Sequence, residues 1–71
     1  MNFQSKGGVA LKSYIITVFD KNGETLLEER FEAASDQEAK QLAEAKLTEN
    51  HYLERTHRCV SQSGKLLLFH P

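Results

Sequence analysis

The sequence predicts an α+β domain of order ββαββ, in which one four-stranded, mainly antiparallel sheet carries a single helix packed on one face. Two turn sequences, DKNG at residues 20–23 and QSG at residues 62–64, each separate two apolar runs and predict two hairpins. A capping signal at Ser35 predicts one helix between them. A chain of 71 residues supports one small domain with a thin core.

The first hairpin consists of residues 13–19 (SYIITVF), rich in β-branched and aromatic side chains, and residues 24–33 (ETLLEERFEA). Its register has two solutions. A four-residue turn places Thr17 opposite Leu27, which then shares a face with Ile15, Phe19 and Phe31. A tighter turn at Asn22 and Gly23 places Val18 opposite Leu27, which then shares a face with Tyr14, Ile16, Val18 and Phe31.

The helix is predicted from its start, its stop and its apolar spacing. Ser35 can cap the first turn while Glu38, three residues on, reaches back toward the free amides. Asn50 is a plausible stop. Between them an apolar stripe recurs at helical spacing: Ala39, Leu42, Ala43 and Leu47.

The second hairpin pairs residues 56–61 (THRCVS) with residues 65–69 (KLLLF). Its turn repeats the pattern of the first, because FDKNGETLL and VSQSGKLLL place small polar residues, glycine, a charge and two leucines in step. Each pattern predicts a type I turn followed by Gly23 or Gly64 in the left-handed region as a bulge. We therefore expect residues 13–71 to form the domain and residues 1–12 to be a flexible leader.

Composition limits the function classes. The formal net charge is -1, with 9 basic and 10 acidic residues, so no general attraction to nucleic acid is implied. Cys59 is the only cysteine, and no stretch has the length of a signal peptide core or a membrane span. These features predict a cytoplasmic protein that is not associated with membranes.

One helix cannot cover both faces of a four-stranded sheet, and this leaves a face open. The expected exposed apolar patch comprises Tyr14, Phe19, Leu26, Leu67 and Phe69. Such a patch is typical of a protein-interaction surface, and its simplest occupant is a second copy in a homodimer joined sheet to sheet or edge to edge. The alternative is that the leader folds over the face, or that charged side-chain stems shield scattered apolar groups.

Sites for chemistry are sparse. His57 and Cys59 share a strand face that His70 can join, but without CxxC or HxxxH spacing we expect no metal site. Nucleophilic catalysis would need a positioned base beside Cys59, so we expect no catalytic residues, no enzyme activity and no cofactor.

Weak RNA binding is the alternative function. Small sheet domains stack bases on exposed aromatic residues and pair phosphates with nearby cations. Residues 55–71 contain no acid and supply three candidate anion or RNA contacts, Arg55, Arg58 and Lys65. The ten acidic residues elsewhere and the missing RNP-type motif make nucleic acid the less favoured partner.

Three segments, YIITVFDKNGETLL, FEAASDQEAKQLAEAKL and SGKLLLFHP, together resemble the YhzD-like group of small uncharacterised proteins from Bacillus and its relatives. The resemblance covers residues 13–71. It implies a bacterial, cytoplasmic setting, and because the group has no established activity it implies no site residues.

Overall fold

The computed structural model describes residues 10–71 and has the predicted order ββαββ. Its elements are β1 (Lys12–Phe19), β2 (Thr25–Ala33), α1 (Asp36–Glu49), β3 (Thr56–Ser61) and β4 (Leu66–His70). The expected leader lies mostly outside the described residues. Within them, β1 begins at Lys12 and the preceding Leu11 is 60% exposed, so Leu11 does not cover the sheet.

The four strands form one antiparallel sheet in the order β2-β1-β3-β4. The two hairpins therefore meet along β1 and β3, and β2 and β4 form the two edges. The helix connects the hairpins and contacts β2, β3 and β4 on one side of the sheet. This confirms the predicted α+β class.

Both turns have the predicted design. The Gly23 N–H donates to the Asp20 carbonyl at 2.9 Å, and the Gly64 N–H donates to the Ser61 carbonyl at 2.9 Å. Both glycines have positive φ, 90° and 91°, which other residues rarely adopt. The repeated sequence pattern thus corresponds to repeated turn geometry.

A bulge in β2 combines the two registers that the sequence left open. Phe19 pairs with Thr25, as the four-residue turn requires, but Val18 pairs with Leu27, as the tighter turn requires. Leu26 is the extra residue between them. A second bulge lies in β4, where Cys59 pairs with Leu68 but Val60 pairs with Leu66, so that Leu67 is extra.

The helix ends are capped by their own sequence. The Ser35 side chain accepts a hydrogen bond from the Glu38 N–H at 3.1 Å, and Glu38 accepts from the Ala34 N–H at 2.6 Å. At the other end Asn50 is the C-cap, and the Tyr52 N–H donates to the Leu47 carbonyl at 2.7 Å in a Schellman arrangement. This places His51 in the left-handed region, with φ of 62°.

The core lies between the helix and one sheet face. Its buried apolar residues are Tyr14, Ile16, Val18, Ala33, Ala39, Ala43, Leu47 and Cys59. Three of the four predicted stripe residues of the helix are among them. Leu42 is the exception, since it is 39% exposed.

Candidate interaction surface

The side of the sheet away from α1, which we call the helix-free face, is defined by the residues of β1 that alternate with the buried ones. Tyr14, Ile16 and Val18 point toward the helix, so the odd-numbered side chains point the other way. Cross-strand pairing extends the face in two full rows, one of Arg30, Ile15, Val60 and Leu66, the other of Glu28, Thr17, Arg58 and Phe69.

Apolar groups on this face are open to solvent at the β4 edge. Leu66 is 52% exposed and Phe69 is 61% exposed, whereas Ile15, Phe19 and Val60 are half-buried. Phe19, Thr56, Arg58 and Phe69 line part of a shallow depression of about 310 Å³. The described residues thus leave an apolar strip that runs from the centre of the sheet to β4.

The predicted exposure is wrong for two of the five residues expected in the apolar patch. Tyr14 is fully buried on the helix side, where its ring stacks on Phe31 with centroids 5.7 Å apart. Leu67 also packs against the core, because the β4 bulge turns both Leu67 and Leu68 toward the helix side.

Of the other three expected residues, Leu26 and Phe69 are exposed and Phe19 is half-buried. Phe19 and Phe69 lie on the helix-free face, and Leu26 is 36% exposed at the β2 bulge. Sequence reasoning missed Ile15, Val60 and Leu66. The polar residues Ser13 and Thr17 were the available signal, because they make the odd-numbered side of β1 the more polar one.

The candidate RNA contacts do not form one cluster. Arg55 pairs with Asp20 at 3.0 Å beside the first turn, and Lys65 pairs with Asp36 at 3.1 Å beside the start of α1. Only Arg58 lies on the helix-free face, where its guanidinium sits 5.6 Å from the centroid of the Phe19 ring. Two of the three cations are therefore already neutralised by carboxylates.

Charged residues occupy the β2 edge of the helix-free face. Glu28, Arg30 and Glu32 pair with Thr17, Ile15 and Ser13, so all three project from this face. The ion pairs found among residues 10–71 join Lys46 to Glu29, Arg55 to Asp20 and Lys65 to Asp36, and none of them involves these three residues.

A polar network ties the other face to the helix. The Tyr14 hydroxyl donates to Asp36 Oδ1 at 2.8 Å, and Lys65 Nζ donates to Asp36 Oδ2 at 3.1 Å. Burial and the Asp36 carboxylate raise the pKa of Tyr14 to about 12. The hydrogen bond from Tyr14, followed by that from Lys65, lowers the pKa of Asp36. This network positions the helix over β1.

Cys59 and the two histidines considered with it lie on the helix side of β3 and β4. Cys59 is fully buried, and burial raises the pKa of its thiol to about 11, which disfavours the nucleophilic thiolate. His57 and His70 are cross-strand partners whose ring centroids lie 5.5 Å apart. In residues 10–71 no cluster of three or more His, Cys, Asp or Glu side chains is arranged to hold a metal ion.

Comparison with known proteins decides the family. The family model described as "YhzD-like protein" matches residues 11–71. The chain belongs to the YhzD-like family. This YhzD-like chain is also 47% identical over 60 residues to "Uncharacterized protein YhzD" of Bacillus subtilis (strain 168), an alignment that covers 84% of this chain and 98% of that protein. No solved structure matches the YhzD-like chain, and no helix within residues 10–71 is long and apolar enough to cross a membrane.

Proposed function

We propose that this YhzD-like protein is an interaction module without catalytic activity, and that it self-associates through its helix-free face. The observation that carries the proposal is the pair of exposed apolar side chains Leu66 and Phe69, 52% and 61% exposed, at the end of a strip that includes Ile15 and Val60. Single exposed leucines are ordinary on protein surfaces, whereas a contiguous strip on a sheet face is typical of interfaces.

The β4 edge of the sheet supports association by faces and not by strand pairing. Both edge strands contain a bulge, at Leu26 in β2 and at Leu67 in β4. A bulge interrupts the regular row of N–H and C=O groups that a further strand would need. Edge-to-edge pairing, one of the two arrangements expected from the sequence, is therefore disfavoured at β4, whereas in β2 the bulge lies next to the first residue of the strand and residues 27–33 keep a regular register.

The size of the face sets the expected strength. Four strands about 4.8 Å apart and eight residues of β1 rising about 3.3 Å each give a face of about 19 by 26 Å, or roughly 500 Å² in projection. Stable interfaces bury about 800 Å² of accessible surface per partner, which is a larger measure than projected area, but β3 and β4 are shorter than β1 and fill only part of this rectangle, so the face fits a weak, reversible dimer. We expect a dissociation constant in the micromolar range or above.

The cellular setting is part of the proposal. Because Cys59 is the only cysteine, the chain cannot form an internal disulfide, and the buried thiol supports a reducing, cytoplasmic location.

The test is sedimentation equilibrium of the full chain from low micromolar to millimolar concentration. We expect the average mass to rise toward a dimer, Leu66→Glu to prevent the rise, and Leu42→Glu to leave it unchanged. Leu42 is the matched control because it is partly exposed on α1, which covers the other side of the sheet. A mass that stays at one chain throughout would refute self-association.

A parallel titration tests RNA as the alternative ligand. A labelled single-stranded oligonucleotide is added to the wild type and to Arg58→Glu at low salt. We expect no saturable binding, because only Arg58 of the candidate contacts lies on the helix-free face, and the positive charges of Arg58 and Arg30 there are offset by Glu28 and Glu32. Saturable binding that Arg58→Glu abolishes would favour RNA over a second copy.

A further inference from the structure

The β2 edge of the helix-free face carries adjacent opposite charges. Glu28 and Arg30 both project from this face and are two residues apart, so their Cα atoms are about 6.6 Å apart along the strand. Neither takes part in the ion pairs found among residues 10–71. A negative and a positive side chain adjacent on one strand can form two ion pairs with the same two residues of a second copy whose strand runs in the opposite direction.

The opposite edge of the same face carries two apolar residues in the same two rows. Leu66 lies in the row of Arg30, and Phe69 lies in the row of Glu28. Each row therefore runs from a charge on β2 to an exposed apolar side chain on β4. This arrangement restricts how two such faces can meet.

Two symmetric arrangements place two sheets face to face with their strands aligned. A two-fold axis along the strands sets β2 of one copy over β4 of the other, which buries Glu28 and Arg30 against Phe69 and Leu66. At this rim the two charges would lose part of their hydration against apolar groups and gain no partner of opposite charge, which is unfavourable. A two-fold axis across the strands, midway between the two rows, instead sets β2 on β2 and β4 on β4.

The second arrangement gives the charged residues of β2 and the apolar residues of β4 partners of matching chemistry. Glu28 of each copy meets Arg30 of the other, and Leu66 of each copy meets Phe69 of the other. Every contact occurs twice, as a two-fold interface requires. The Arg58 guanidinium does not lie between the two rows, because it sits over the Phe19 ring toward the end of β1.

We infer that the occupant of the helix-free face is a second copy of this chain with its strands antiparallel to those of the first, held in register by reciprocal Glu28–Arg30 ion pairs. This inference rests on the proposed self-association and adds its geometry. The ion pairs lie at the rim, where charges determine orientation and specificity more than affinity.

The test is charge reversal followed by mixing. Glu28→Lys alone and Arg30→Glu alone each turn both reciprocal contacts into repulsions, and we expect each to weaken dimerisation at low salt by at least about tenfold. An equimolar mixture of the two variants restores opposite charges at both contacts. We expect this mixture, and the double variant Glu28→Lys/Arg30→Glu, to associate within about threefold of the wild type, and high salt to reduce all differences.

Variants Lys40→Glu and Glu44→Lys on α1 provide the control, since they produce the same changes in net charge away from the helix-free face. Neither they nor their mixture should change association by more than about twofold. If the wild type dimerises but the single reversals do not weaken it, or the mixture is not rescued, the inferred geometry is wrong while self-association stands. If the wild type remains a monomer, both are wrong.

Discussion

Replacement of Phe69 by serine is the substitution that tests the contribution of the apolar strip to self-association. Phe69 is 61% exposed, and with about 200 Å² of surface on a phenylalanine side chain this leaves about 120 Å² per copy available for burial. At about 25 cal/mol per Å², complete burial would contribute about 3 kcal/mol in each copy, or about 6 kcal/mol in a symmetric dimer.

Only part of that area becomes buried on a shallow face, and buried area overstates affinity. Half of the total, about 3 kcal/mol, corresponds to about a 100-fold increase in the dissociation constant. The assay is sedimentation equilibrium of Phe69→Ser beside Leu42→Ser, a control on α1 that removes an exposed apolar side chain from the other side of the domain.

Thermal unfolding at the lowest concentration checks that both variants remain folded. Equal dissociation constants for the wild type, Phe69→Ser and Leu42→Ser would refute the assignment of the interface to the helix-free face.

Three further predictions concern the fold. Leu47→Ala truncates a fully buried helix residue and should lower the free energy of unfolding, measured by urea titration, by about 2–5 kcal/mol. This is a large part of the roughly 4–10 kcal/mol expected for 71 residues. A loss below about 1 kcal/mol would contradict the packing of α1 on the sheet. The folded-state pKa of Tyr14 is raised from 10.0 to about 12, so its contribution to stability is present below pH 10 and lost as the pH rises toward 12. Tyr14→Phe should remove this part of the loss of stability at alkaline pH, and the control Tyr52→Phe should keep it. Equal profiles of unfolding free energy against alkaline pH for the two variants would contradict the Tyr14–Asp36 contact. His51→Gly should raise the free energy of unfolding by about 0.5–1 kcal/mol, because His51 has a φ of 62° that glycine adopts without strain; destabilisation would contradict the C-cap geometry.

Local chemistry made most of the fold predictable. The turns depend on small polar residues followed by Gly23 or Gly64, and the helix ends depend on Ser35 and Asn50, so each of these signals acts within a few residues. The element order follows directly from them. No long-range contact was needed to predict it.

The side of the sheet that each apolar residue faces was less predictable. β1 has apolar residues on both sides, the polar Ser13 and Thr17 are the one local sign that the odd-numbered side faces away from the helix, and the long-range contact between Tyr14 and Asp36 of α1 fixes the even-numbered side under it. The bulges at Leu26 and Leu67 depend on the pairing of whole strands, and no local turn signal marks them. This is why Tyr14 and Leu67 were placed on the wrong face and Leu66 was missed.

Amide ¹H–¹⁵N NMR spectra of the full chain, recorded across the concentration range of the proposed dimer, report which residues enter the interface. We expect the concentration-dependent shifts to centre on Ile15, Val60, Leu66 and Phe69, and the amides of α1 to stay constant. Spectra that do not change with concentration, or changes centred on α1, would contradict the claim that the helix-free face of this YhzD-like protein is its interaction surface.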